Sequence, residues 1–273
     1  MTQKPGAPSA SLASPAAARS APAANPLFEY VVRLGDDRLV LGHRLAEWCG
    51  HGPILEEDIA LANIALDLTG QAAALLALAG EIEGAGRDED ALAYFRDETQ
   101  FRNALITELP KGDFGFTIVR QFFFDAYSYL LWEALAGAKH AKLAALAAKS
   151  LKEDTYHLRH SGEWVRKLGD GTAESHARAQ AAVDALWRFT AELFESDAVD
   201  LAVAKDGIAV DHGALAERWR AIVEPVLREA TLTVPAAPGA AATGGRRGRH
   251  TEHLGHLLAE MQIVARSHPG AAW

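Results

Sequence analysis

From Ile59 to Leu78 the chain is apolar nearly all the way around a helix, and Asn63, Asp67 and Gln71 interrupt it at intervals of four. That stretch constrains the fold more than any other. A helix apolar on every side is covered by other elements, and polar groups on one line of it need partners, because an unpaired carboxylate out of water is costly. A second stretch repeats the design, with Gln121, Asp125 and Ser128 inside Ile118 to Leu135. A third, Leu151 to Val165, carries Glu153, Asp154, His157 and His160. The chain must therefore bring several polar helical lines together inside one apolar body.

Elsewhere apolar residues also recur at three and four, almost nothing alternates with period two, and Gly and Pro punctuate long segments. The expected fold is all-α. Helices are predicted from about Asp36 to Trp48, Glu56 to Ala79, Asp88 to Thr107, Thr117 to Ala136 and Ala141 to Leu168, followed by Glu174 to Glu195, Gly213 to Ala230 and Thr251 to Arg266. In the last helix Leu254, Leu257, Leu258, Met261 and Ala265 form the apolar stripe, which turns Glu252, His256 and Glu260 outward. Residues 1–27, rich in Ala and Pro, read as a disordered tail without a secretory signal, and 28–273 as one helical domain with a mobile loop near 234–249.

With 273 residues, 49% of them hydrophobic, the chain can bury a large core. No charge-free run of membrane-spanning length is expected, and a net charge of -9 without a basic stripe argues against a nucleic-acid grip. Arg246, Arg247 and Arg249 read as a solvated loop or a contact for an acidic partner. The single Cys49, beside Trp48, reads as packing in a reducing, cytoplasmic setting. Trp132, Trp164, Trp187 and Trp219 read as core or interface anchors.

Asp154 and His157, three apart, supply half of what a di-iron four-helix bundle needs, namely a carboxylate and a histidine on one helix face. In antiparallel hairpins, a turn near Lys139 sets Asp125 level with Glu153 and Asp154, and one near His51 sets Asp67 level with Asp36, Asp37 and Arg38. The counterpart of Asp154-x-x-His157 is then Asp67-x-x-Gly70, and glycine ligates nothing. The expectation is a degenerate polar core of Arg38, Asp67, Asp125, Asp154 and His157, with Arg38 paired to Asp67 and no metal. Two rivals are a metal-bearing oxygenase or oxidase using Asp125, Asp154 and His157, and a ferritin-like storage protein.

Four blocks carry a family resemblance: LGHRLAEWCGHGP at 41–53, DIALANIALDLTGQ at 58–71, KEDTYHLRH at 152–160 and HTEHLGHLLAEMQ at 250–262. Together they resemble the ring 1,2-phenylacetyl-CoA epoxidase family, the multicomponent mono-oxygenase of aerobic phenylacetate degradation, in its structural component. The resemblance covers about Phe28 to Ser267. It implies a ferritin-like four-helix bundle with additional C-terminal helices and no cofactor of its own. It also implies a homologous catalytic partner, the A component of the epoxidase, that holds the di-iron site, and a flavin and iron-sulfur reductase that supplies electrons.

Overall fold

The structure, a computed structural model, describes residues 25–236 and 240–271. Among these the secondary structure is helical, with no strand. Ten α-helices follow in order: α1 (Pro26–Ala46), α2 (Leu55–Glu83), α3 (Glu89–Tyr94), α4 (Leu105–Glu108), α5 (Phe114–Leu135), α6 (Ala141–Gly169), α7 (Ala173–Thr190), α8 (Ala198–Lys205), α9 (His212–Glu229) and α10 (Glu252–Ser267). Four long helices make the ferritin-like bundle: α1 pairs with α2, α5 with α6, and α2 meets α6 to close it. The shorter helices wrap it, α7 and α9 against α5, α8 against α1, and α10 against α3 and α4.

The first helix starts ten residues before the expected Asp36. Asn25 caps it, its side chain accepting from the Leu27 and Phe28 amides, and Pro26 occupies the first turn where a missing N–H costs nothing. The expected boundary at residue 27 thus falls inside α1, and the rest of the expected tail lies outside the described residues. Gly35 and Gly42 let α2 approach: a Cβ at Gly35 would stand 2.8 Å from Leu76 Cδ2, and one at Gly42 3.0 Å from Thr69 Oγ1. Those contacts place the α1–α2 pairing about two turns away from one centred on His51. The connection Glu47–Ile54 does not divide the hairpin evenly, so the level rule misplaces Asp67.

Aromatic packing ties the wrapping helices to α5. Phe123 meets Trp187 and Trp219 edge-on, each with ring centres 5.6 Å apart, and Trp219 Nε1 donates to the Phe123 carbonyl at 2.9 Å. Trp132 is also fully buried, whereas Trp164 lies at the margin. Burying each such side chain contributes about 1.5–3 kcal/mol or more. The apolar stripe of α10 faces inward, and Glu252, His256 and Glu260 face out, as the periodicity requires. Cys49 is exposed rather than packed.

The segment expected to be a mobile loop is instead anchored for much of its length. The Ala242 amide donates to the Arg188 carbonyl, and Gly245 and Arg246 are buried. Residues 237–239 lie outside the described residues.

Candidate functional site

The polar lines of α2, α5 and α6 do converge. Gln71 Nε2 donates to Asp154 Oδ1 and to Glu153 Oε2, both at 3.0 Å. On α5, Gln121 Nε2 donates to Asp125 Oδ1 at 2.6 Å, and Ser161 Oγ on α6 donates to Asp125 Oδ2 at 2.7 Å. Asp125 is therefore level with Ser161, more than a turn beyond the expected Glu153 and Asp154. His157 sits fully buried between two acids: Nε2 is 3.0 Å from Asp67 Oδ2, and Nδ1 is 3.5 Å from Asp154 Oδ1, an ionic contact too long for a good hydrogen bond. One turn on, His160 Nε2 meets Glu57 Oε2 at 2.9 Å.

Arg38 belongs to this core, but it does not reach Asp67. Its guanidinium lies over Trp132, 4.2 Å from the ring centre, and donates to Ser128 Oγ at 2.7 Å and to the Leu34 carbonyl at 3.2 Å. Asp67 pairs with His157 instead and is 40% exposed, at the edge of the bundle. Gly70 is on the outer side of α2, where a Cβ would meet nothing within 4 Å. It faces away from the bundle interior, so the missing second histidine leaves no gap in the polar core.

These neighbours set the protonation of the core. Burial raises Asp125, and although the His157 charge opposes it the carboxyl is pushed up to about 7. Burial also works against ionised Asp154, but His157 and Arg38 outweigh it and hold that carboxyl below its ordinary value. For His157, burial favours the neutral ring, yet Asp154, Asp67 and Asp125 together push it up to about 10. At neutral pH the core holds a charged imidazolium between Asp67 and Asp154, with Asp125 near its midpoint.

The donor set does not fit a di-iron pair. The carboxylate oxygens of Asp125 accept from Gln121 and Ser161, Asp154 accepts from Gln71, and one histidine faces the core. Among the described residues no group of three or more His, Cys, Asp or Glu is arranged to hold a metal ion.

A second buried ionic network has no counterpart in the sequence reading. Asp36 accepts both Arg96 guanidinium nitrogens and the Arg102 amide, while Asp37 accepts Arg246 Nη1 and Nη2 at 3.0 and 2.8 Å and the Ala104 amide at 2.8 Å. Glu192 accepts the Gly244, Gly245 and Leu105 amides, and Glu108 accepts His250, Asn103 and the Thr251 amide. The sequence suggests solvent or an acidic partner for Arg246, and its acidic partner is internal. The available signal was acids set among apolar neighbours, Glu108 in ALITEL at 104–109 and Glu192 in FTAELF at 189–194.

The profile of the phenylacetic acid catabolic protein family matches residues 1–273. The chain belongs to that family. The C subunit of the 1,2-phenylacetyl-CoA epoxidase of Escherichia coli (strain K12) is 52% identical over 249 residues, which cover 91% of this chain and 100% of that protein. The resemblance read from the four sequence blocks is thus the correct one. Asp125 on α5 and Asp154 on α6 lie buried inside the bundle, each held by hydrogen bonds from neighbouring helices or its own.

Proposed function

We propose that this chain is a structural subunit of a phenylacetyl-CoA epoxidase complex, without a metal centre of its own, working in the cytoplasm to hold a homologous di-iron catalytic partner in its active shape. The observation that carries the reading is the occupation of the core acids by protein donors: Gln121 and Ser161 on Asp125, Gln71 on Asp154, and His157 against Asp67. A di-iron bundle takes a carboxylate from each of two helices and a carboxylate with a histidine from each of the other two, whereas here the one histidine of the core, His157, is already paired with Asp67 and Asp154. The similarity to an epoxidase component supports the choice of complex. Electrons would enter through a flavin and iron-sulfur reductase acting on the catalytic partner.

The test is iron content of this chain purified alone and again after co-expression with the catalytic partner, together with phenylacetyl-CoA turnover by that partner with and without this chain. Iron confined to the partner, with turnover that requires this chain, is expected. About two irons on the isolated chain would make it an oxygenase in its own right and overturn the reading.

A further inference from the structure

Tyr30, Arg33, Asp200 and His212 line a cavity of about 10 Å³ where α1 meets α8 and the first residue of α9, with Leu34 and Leu193 as its apolar wall. All four polar residues are more than nine-tenths buried. Among the described residues, three of their polar atoms find no hydrogen-bond partner: Tyr30 Oη, Arg33 Nε and His212 Nε2. Arg33 Nε stands 3.9 Å from Glu29 Oε1, out of hydrogen-bond reach, and His212 Nε2 stands 3.8 Å from Asp200 Oδ1. A buried polar group left unmet is costly, and three of them on one small cavity point to a common partner.

The other charged groups around the cavity are already engaged. Arg246 holds Asp37, Glu192 accepts three backbone amides, and Glu195 meets Arg247. The rest of the Arg33 guanidinium holds Asp197 and Asp200 Oδ2.

Size and charge select the occupant. At about 10 Å³ the cavity has room for one water molecule and not for a second. An anion there would face Asp200 Oδ1, and a cation would face the Arg33 guanidinium. His212 is held down to about 4 by burial, with the Arg246 and Arg33 charges adding to the effect, so at neutral pH its ring brings no charge. A neutral molecule that donates two hydrogen bonds and accepts two suits every wall of the cavity.

We propose that Tyr30, Arg33, Asp200 and His212 form a binding site for one long-lived internal water, which fastens α8 and α9 to α1. Arg33 Nε and Tyr30 Oη donate to the water, and the water donates to Asp200 Oδ1 and His212 Nε2. A polar contact spanning more than about 3.5 Å is where such a bridge is expected. The neutral His212 ring then keeps its hydrogen on Nδ1, which is 3.1 Å from Tyr127 Oη. The Arg33 ion pairs already join α1 to α8, whereas α9 brings His212 alone to this cavity. The water is therefore what ties α9 into the junction.

Crystals of the full chain, at a resolution that shows ordered solvent, should contain one peak within hydrogen-bond distance of all four atoms. Crystals grown in bromide should give no anomalous signal at that position. In solution, oxygen-17 magnetic relaxation dispersion should detect a long-lived water whose residence time shortens about five- to tenfold in Tyr30→Phe, the effect of losing one ordinary hydrogen bond. The phenyl ring keeps the shape of the tyrosine, so Y30F should retain wild-type helicity, which separates a loosened water from a loosened fold. Nitrogen-15 shifts should place the His212 hydrogen on Nδ1. An empty cavity, a bromide peak in it, or a residence time indifferent to Y30F overturns the proposal. None of these readouts depends on metal content or turnover, so the structural-subunit reading stands or falls separately.

Discussion

Arg246 spans Asp37 across 209 residues of sequence, Nη1 and Nη2 on the two carboxylate oxygens, with both groups buried. The pair is reinforced from each side: Asp37 also accepts the Ala104 amide, and Arg246 also donates to the Arg33 and Arg102 carbonyls. Fully paired, it contributes little net stability beyond what apolar packing would give. Broken, it leaves a charge in the interior.

Arg246→Met should therefore lower unfolding free energy by about 3–5 kcal/mol, measured by urea titration, because Asp37 keeps its charge and loses its partner. Pairing that substitution with Asp37→Leu should recover much of the loss. A single variant within about 0.5 kcal/mol of wild type would show that Asp37 is stabilised by other groups.

The imidazole of His157 links stability to pH. Its folded value, about 10, stands above the ordinary 6.5, so its contribution is complete below about 6.5 and is lost as pH rises through about 10. In a comparison of wild type with His157→Asn, the wild-type advantage should be largest near pH 6 and vanish toward pH 10, with each tenfold gain in proton affinity worth roughly 1.4 kcal/mol. An advantage that is flat across that range would mean the ring is not charged in the fold.

Asp125 acts in a different window. Burial raises it from 3.8 to about 7, so the folded state holds a proton that the unfolded chain has released, and stability falls as pH rises between those values. Asp125→Asn should abolish that decline and be the more stable protein at pH 8, with thermal melting across pH as the measurement. A variant less stable than wild type at pH 8 would show that the carboxylate is ionised and needed there.

Gly245 packs where no side chain fits: a Cβ would stand 2.1 Å from the Asn103 carbonyl oxygen. Gly245→Ala must push residues 244–251 off the body, breaking the amide bonds to Glu192. Hydrogen exchange should show faster exchange across 244–251 and 103–105 with the four-helix bundle unaffected. Unchanged protection would mean the segment shifts as a unit without releasing.

What the sequence made legible was periodicity. The buried line Gln71, Gln121, Asp125, Asp154 and His157 follows from polar residues at helical spacing in apolar helices, and all five are buried and held in polar contacts within the bundle. What periodicity cannot give is register. The Asp67 level depends on how the residues between α1 and α2 are shared, and the expected Arg38–Asp67 pair dissolved into Arg38–Ser128 and Asp67–His157. Nor does spacing reveal pairing between distant segments. Arg246 sits among glycine and arginine in a stretch with surface composition, and only the fold brings Asp37 to it.

The placement of the α1 acids also bears on synthesis. Asp36 and Asp37 leave the ribosome early, within the first helix, and their matching cations are Arg96 and Arg246. Without the segment around Arg246 that helix carries a carboxylate held by the Ala104 amide but lacking its bidentate cation. The first helix therefore cannot bury Asp37 with its cation until the segment around Arg246, 209 residues on, is in place.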